Sequence, residues 1–437
     1  MLVCAGTIFL MSCEDSPEIS VSSRNIIIDA LDSEVQTVGI SANVAWTATI
    51  QQDEDWLSID PSNGSGNGII TLTAGENPVF VERTALIIVS GEGTNTDTIR
   101  VAQATGLNIA DEIEDDAFRQ YCLEQFDLSP KDDKISTTEA KIVTTIVVKN
   151  MNIQSLAGIE YFINLISLNS SGNNIEDVDI SKNKALKTIN CSYNPLKQID
   201  ISENLKLTEL ILFSTEISKI DVSKNTALTW LAVSINQLEV VDVKNNTKLE
   251  SLECSDNKLT SLDVSNNTRL TTLYCSNNNI KTLDRSKNTE LRDLGCSNTL
   301  IAKIDLSKNM TLAALLCDST QITSLNLKQN TELKKLTCNK NKLQSLDLSE
   351  NKELGELQCN FNNLKTLDVR QHTKLQVLKC SNNQLTDNID ISKNKLLREF
   401  DFTENQNLST IYVWQEFSDI TGNYYYKDAA ASYEIKN

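Results

Sequence analysis

One histidine in 437 residues leaves little room for imidazole chemistry. His372 stands where neighbouring repeats carry Asn330 or Asn351, so it reads as a turn substitution and not as a general base. No glycine-rich phosphate loop, metal-ligand cluster or nucleophile elbow is present, so no catalytic residue, metal ligand or cofactor can be named. Paired carboxylates among the 59 acidic residues are the one route to catalysis left open, and their regular spacing argues for architecture over an enzyme. Long apolar runs are also missing. The one continuous stretch, Met1 to Met11, is far shorter than the roughly 20 residues a spanning helix requires. The 40 basic residues are scattered, and a net charge of -19 repels phosphate backbones, which argues against nucleic acid as a partner.

What is present is a repeat. Cysteines fall at 191, 254, 275, 296, 317, 338, 359 and 380, so every interval is 21 residues or a multiple of it, with Leu212 and Val233 filling the gap. Such spacing argues against a disulfide scheme. Leu252, Cys254, Asn257 and Leu259 recur as Leu273, Cys275, Asn278 and Ile280, which is the LxCxxNxL signature of a leucine-rich repeat. The rest of each unit reads LDVSxNT, as in Leu262 to Ser265 followed by Asn267 and Thr268. The period runs from Ile146 and Val148 to Phe400 and Phe402, about a dozen coils on the order of 60 Å long at ~4.8 Å each. Alternation points both apolar residues of LxC inward, so stacked coils form a parallel sheet over one continuous core. The bend asparagines (Asn194, Asn236, Asn257, Asn278, Asn341, Asn362, Asn383) predict a buried carboxamide ladder, with Thr215, Thr299 and Thr320 as partial substitutes. Twenty-one residues leave no length for a convex helix, so extended or 3₁₀ segments are expected there. The column of thiols reads as small buried hydrophobes and not as a metal or redox site.

The cysteine-bearing unit resembles the repeats of the internalin J type, found in surface adhesins, over residues 142–413. That resemblance implies a binding scaffold and leaves the ligand to the variable positions. Residues 19–105 carry short β-rich runs (Ile26 to Asp29, Val35 to Ile40, Ile69 to Thr73, Leu86 to Ser90) between Gly, Asn and Ser clusters, a β-sandwich pattern. Trp46, Trp56, Pro61, Gly64, Gly66, Asn77, Arg83 and Gln103 resemble the BACON domain of surface proteins in gut Bacteroidetes, whose family name refers to a carbohydrate association. Trp46 and Trp56 read first as core residues and second as sugar platforms. Residues 106–141 form an acidic helical cap. Phe126, Asp127, Asp133, Ile135, Ser136 and Glu139 resemble a truncated EF-hand, but Lys131 replaces an acidic ligand and the central glycine is absent, so calcium is not expected. Residues 414–437 close the open end. Leu10 to Cys13 resemble a lipobox, which makes 1–13 a lipoprotein signal and Cys13 the lipidated residue. Glu14 and Asp15 are similar to the export tag of outer-membrane surface lipoproteins.

The expected fold is mixed but mostly β: an N-terminal Ig-like β-sandwich, then a solenoid of 21-residue coils with a parallel β-sheet and little helix. Along its concave face the columns flanking the core pair vary. Ile211, Phe213, Trp230, Ile235 and Tyr274 converge over four coils, rimmed by Glu209 and Glu253, and a contiguous apolar patch of this kind marks either an interface or an irregular core. A convex column, Asp221, Asp242, Asp263, Asp284 and Asp305, reads as turn caps. The expectation is a monomeric, lipid-anchored protein at the outer-membrane surface that binds a protein partner through the concave face. A glycan bound by the BACON-like domain is the alternative.

Overall fold

The computed structural model describes residues 16–30, 35–51, 55–128, 131–414 and 424–436; Cys13 and the lipobox lie outside them. Two units are present, one made of residues up to 112 with 122–141, the other of 113–121 with 142 onward.

The first unit begins with nine strands: β1 Ile19–Val21, β2 Asn25–Ile28, β3 Val35–Ala42, β4 Ala45–Ile50, β5 Leu57–Asp60, β6 Asn63–Ser65, β7 Gly68–Ala74, β8 Arg83–Gly91 and β9 Asp97–Gln103. They form two sheets, ordered β1-β3-β7-β5 and β2-β9-β8-β4-β6. Alternation along β4, β7, β8 and β9 turns one face of each inward, and Val38, Ile40, Trp46, Leu72, Ile87, Val89 and Ile99 share one buried core. The residues that carry the BACON resemblance are the joints of this sandwich. Trp46 is 3% exposed and its indole Nε1 donates to the Gly66 carbonyl at 2.9 Å. A Cβ on Gly64 would stand 2.4 Å from its ring, so only glycine lets the strand cross it. Arg83 lies 4.7 Å from the Trp56 ring centroid while its Nε donates to Gln103 at 2.7 Å. Buried Asn77 donates through Nδ2 to Val81 and Ala104.

Short helices follow: α1 Ile109–Glu112, α2 Asp116–Phe126 and α3 Thr137–Ile142. Ser136 and Glu139, similar in sequence to EF-hand positions, make a capping box for α3. The Ser136 N–H donates to Glu139 Oε2 at 2.8 Å, and the Glu139 N–H donates to Ser136 Oγ at 3.2 Å. Glu139 Oε1 accepts from the Leu128 N–H, and Asp127 Oδ2 accepts from that of Asp133. Both oxygens of Glu139 and one of Asp127 thus bond backbone donors, while Asp127 Oδ1 is buried without a partner among the described residues.

In the second unit, Asp115 caps α2 through the N–H groups of Ala117 and Phe118 and also accepts the Gln154 N–H at 2.7 Å. The Tyr121 hydroxyl accepts the Val147 N–H. A parallel sheet of 14 strands then runs in sequence order from Thr145–Val147 to Tyr424–Tyr426. Register matches leucine to leucine, Leu231 to Leu252 to Leu273 to Leu294, one coil apart. Sheet pairing therefore runs past residue 413, because Tyr424–Tyr426 pairs with Glu399–Asp401. Phe400, Phe402, Tyr425 and Tyr433 pack there, with the Phe400 and Tyr425 ring centroids 4.6 Å apart.

The bend asparagines form the expected ladder. Asn257 Nδ2 donates to the carbonyls of Val233, Cys254 and Ser255, and its Oδ1 accepts the Leu238 N–H. A second ladder lies on the convex side, where Asn246 Nδ2 donates to Val222 and Asn225, and Asn267 Nδ2 to Val243 and Asn246. The convex segments lead into successive turns closed by i→i+3 bonds, the 3₁₀-type bond, as in Asn246 N–H to Val243 and Leu249 N–H to Asn246. Among the described residues only Ile159–Tyr161 is 3₁₀. The side-chain amide of each convex asparagine fixes these turns by bonding the preceding coil. At the break in this column, His372 makes one bond, Nε2 to the Leu348 carbonyl at 3.1 Å, where asparagine makes two. The aspartate column caps turns: Asp221 and Asp263 accept the N–H groups of Ser223 and Ser265, and hydrogen bonds from the side chain and backbone of these serines hold both carboxyls below the usual range.

Candidate functional site

Each coil bends at the second residue after its cysteine position, and that residue is left-handed. Gly172, Asp256, Asn277, Asn298 and Asn382 suit such a place, because glycine, asparagine and aspartate tolerate positive φ. Tyr193 at φ 55°, Ile235 at 57° and Phe361 at 56° do not. Ile235 is the most costly, since a branched Cβ in this region crowds the following carbonyl by roughly 1–2 kcal/mol. It is nonetheless 44% exposed, so burial of the side chain offsets only part of that cost.

Trp230 and Glu209 occupy paired positions on adjacent strands, as do Ile211 and Ala232, then Glu253 and Tyr274. Trp230 is 36% exposed, and its Nε1 donates to Glu253 Oε1 at 3.0 Å, which tethers the indole across one coil. Tyr274 leans across the next coil, where a Cβ on Gly295 would come within 2.7 Å of its ring. Its hydroxyl pKa is raised by burial and by the charges of Asp293 and Glu253. Glu209, Ile211, Phe213, Glu253 and Tyr274 are half-buried. The predicted residues thus lie on four consecutive coils of one face, with Ile235 at its bend edge. Tyr193, which the repeat pattern does not single out, joins them: it is 59% exposed and its ring packs against Phe213 at a 59° tilt with centroids 5.3 Å apart. Its signal was an aromatic residue in a column of turn formers. Farther along, the same face is charged and paired within itself, Lys335 to Glu356 at 3.1 Å and Lys379 to Glu399 at 2.7 Å.

The nine described cysteines are buried and free, with Cys254 and Cys296 pushed up to about 12 by burial, so the column carries thiols and not thiolates. Among the described residues no group of three or more His, Cys, Asp or Glu side chains is placed to hold a metal ion, and no helix is long and apolar enough to cross a membrane.

Comparison with known proteins agrees with both units. Residues 18–105 match the family described as Viral BACON domain, and residues 247–288 match Leucine Rich repeats (2 copies). Among curated proteins none matches the sequence. Among solved structures, the functional domain of InlJ from Listeria monocytogenes, described as including a cysteine ladder, is 31% identical with a TM-score of 0.58, covering 74% of this chain and 70% of that one. The internalin InlF of the same species is 25% identical with a TM-score of 0.59, over 68% of this chain and 98% of that one. A leucine-rich-repeat protein of Leptospira interrogans, 20% identical with a TM-score of 0.57 over 65% of this chain and 80% of that one, shares the fold. The chain belongs to the internalin J type of leucine-rich-repeat proteins, with a BACON domain ahead of its repeats.

Proposed function

We propose that the protein is a surface binding module that holds a protein partner on its concave face, at the patch of Tyr193, Ile211, Phe213, Trp230, Ile235 and Tyr274. Ile235 carries this reading: a β-branched residue kept exposed in a conformation that disfavours it serves contact with something outside the chain. Solenoid folds present extended concave surfaces of this kind. The glutamates Glu209 and Glu253 at the rim disfavour acidic partners. The glycan alternative has less support, because the Trp46 ring is buried and Arg83 lies over Trp56, leaving neither ring face free in the BACON domain.

The test is a binding screen of the chain from Ser16 onward against host matrix proteins, mucin and plant polysaccharides, with Trp230→Ala beside wild type. A protein hit weakened at least 30-fold, about 2 kcal/mol, is expected for a central aromatic anchor. Glycan retention untouched by the substitution would move the function to the sandwich. Anchoring at the outer-membrane surface through a lipid on Cys13 belongs to the same proposal. Metabolic labelling with a palmitate analogue should mark wild type and spare Cys13→Ser; equal labelling of both sinks the anchor.

A further inference from the structure

We infer that the partner segment seated on the Trp230 patch is basic, with an arginine side chain lying along the Trp230 and Tyr274 rings between Glu253 and Asp293. This rests on the reading of that patch as a protein-binding face and adds the chemistry of what it holds. Every strand of the solenoid sheet from Ser167–Asn169 to Ala314–Leu316 buries its middle residue and turns the first and third toward the concave side. None of these outward positions holds lysine or arginine, whereas Glu209, Glu253 and Asp293 stand there on alternate coils. Among the described residues none of the three carboxylates has an ion-pair partner, and Arg292, one residue before its strand, makes no pair with Asp293. Beyond Leu316 the acids of the same face are matched: Glu356 by Lys335, Glu399 by Lys379, and Asp318 by the Thr337 hydroxyl and the Asn339 N–H. The imbalance of charge is confined to the coils around the aromatic patch.

Glu253 joins the two rings. Its Oε1 accepts the Trp230 indole N–H at 3.0 Å, and its position in the sheet pairs it with Tyr274 on the next strand. Asp293 stands on the far side, paired with Thr272 of the Tyr274 strand. Both carboxylates act on the Tyr274 hydroxyl, whose pKa they raise after the larger effect of burial. A partner that covered these rings with apolar or acidic side chains would strip water from carboxylates that have no counter-charge, which is costly. A guanidinium removes that conflict, because its plane stacks on an aromatic face while its edge donates to carboxylate oxygens. An ammonium brings the charge without the plane and suits the site less well.

The probe is a short fluorescent peptide in which arginine alternates with leucine and glycine, beside counterparts with glutamine or glutamate in place of arginine, titrated with the full chain by anisotropy. Saturable binding of the arginine peptide is expected, at least tenfold tighter than that of the glutamine peptide, with none for the glutamate peptide. Glu209→Gln with Glu253→Gln and Asp293→Asn should weaken it at least tenfold, as should Trp230→Ala. That neutralised variant should melt no lower than wild type, because it removes like charges; if it fails to fold, Asp293→Asn alone carries the test with a several-fold loss. Glu290→Gln with Glu332→Gln and Glu350→Gln makes the same change in net charge at exposed turn sites and should bind as wild type does. Equal loss in the neutralised and control variants would reduce the effect to net charge and overturn the inference. A glutamine peptide bound as tightly as the arginine peptide, and lost in Trp230→Ala, would overturn it while leaving the protein-binding reading in place. No saturable binding of the arginine peptide, or binding indifferent to Trp230→Ala, would overturn the basic contact on these rings; the protein-binding reading is decided separately by the screened partner.

Discussion

Ile235→Asn is expected to stabilise the protein while weakening its hold on a protein partner. Asparagine enters the left-handed region at lower cost than a β-branched residue, because its side chain bonds locally and leaves the Cβ environment less crowded. The gain should be about 1 kcal/mol, read as a higher urea midpoint with unchanged slope. Removing the exposed butyl group from the patch should cost about 1.4 kcal/mol of binding, a tenfold loss. Phe361→Asn is the control. Phe361 occupies the same bend position six coils away, at φ 56°, and relieves the same kind of strain far from the patch. It should raise stability and leave binding unchanged. If both substitutions stabilise and neither affects binding, the strain at Ile235 is without functional meaning.

Asn288→Ala is expected to destabilise the solenoid by about 3 kcal/mol. Asn288 is fully buried on the convex side, and its Nδ2 donates to the Val264 carbonyl at 3.0 Å and the Asn267 carbonyl at 2.8 Å. Alanine would leave two buried acceptors without that donor and cut the bond from one coil to its predecessor. Its Oδ1 has no partner in the protein, so the loss falls entirely on the donor side. Coils gain stability mainly from their neighbours, so a broken junction should also reduce unfolding cooperativity. Asn279→Ala, at an exposed site nine positions earlier, should stay within about 0.5 kcal/mol. Equal denaturation midpoints for the two variants would remove the second ladder from the account.

The repeat was legible because a 21-residue period forces every core position to recur, so Leu273, Cys275 and Asn278 could be assigned from their neighbours alone. The Asp263 turn cap and the Asn257 ladder followed from the same reasoning, since short polar side chains at bends have few other uses. Three features were harder to read for physical reasons. Backbone sign is not written in a column that holds tyrosine, isoleucine and phenylalanine as well as asparagine, so the strain at Tyr193 and Ile235 emerged only from φ. The convex asparagine of LDVSxNT was visible, but its role depends on two carbonyls 21 and 24 residues earlier, which turn geometry brings together. Arg285 is a charge in an aliphatic column and legible as such, but the Leu283 and Asp305 carbonyls that receive its guanidinium meet only through the stacking of two coils.

The central claim is that a protein partner contacts the patch around Trp230 and Ile235. The most direct measurement is the affinity of the screened protein partner for wild type, for Trp230→Ala with Ile235→Asn, and for Lys335→Ala with Lys379→Ala on the self-paired part of the same face. Affinity lost at least 100-fold in the first variant, about 2.7 kcal/mol, and kept in the second is the predicted result. Unchanged affinity in the first, or an equal loss in both, would contradict it.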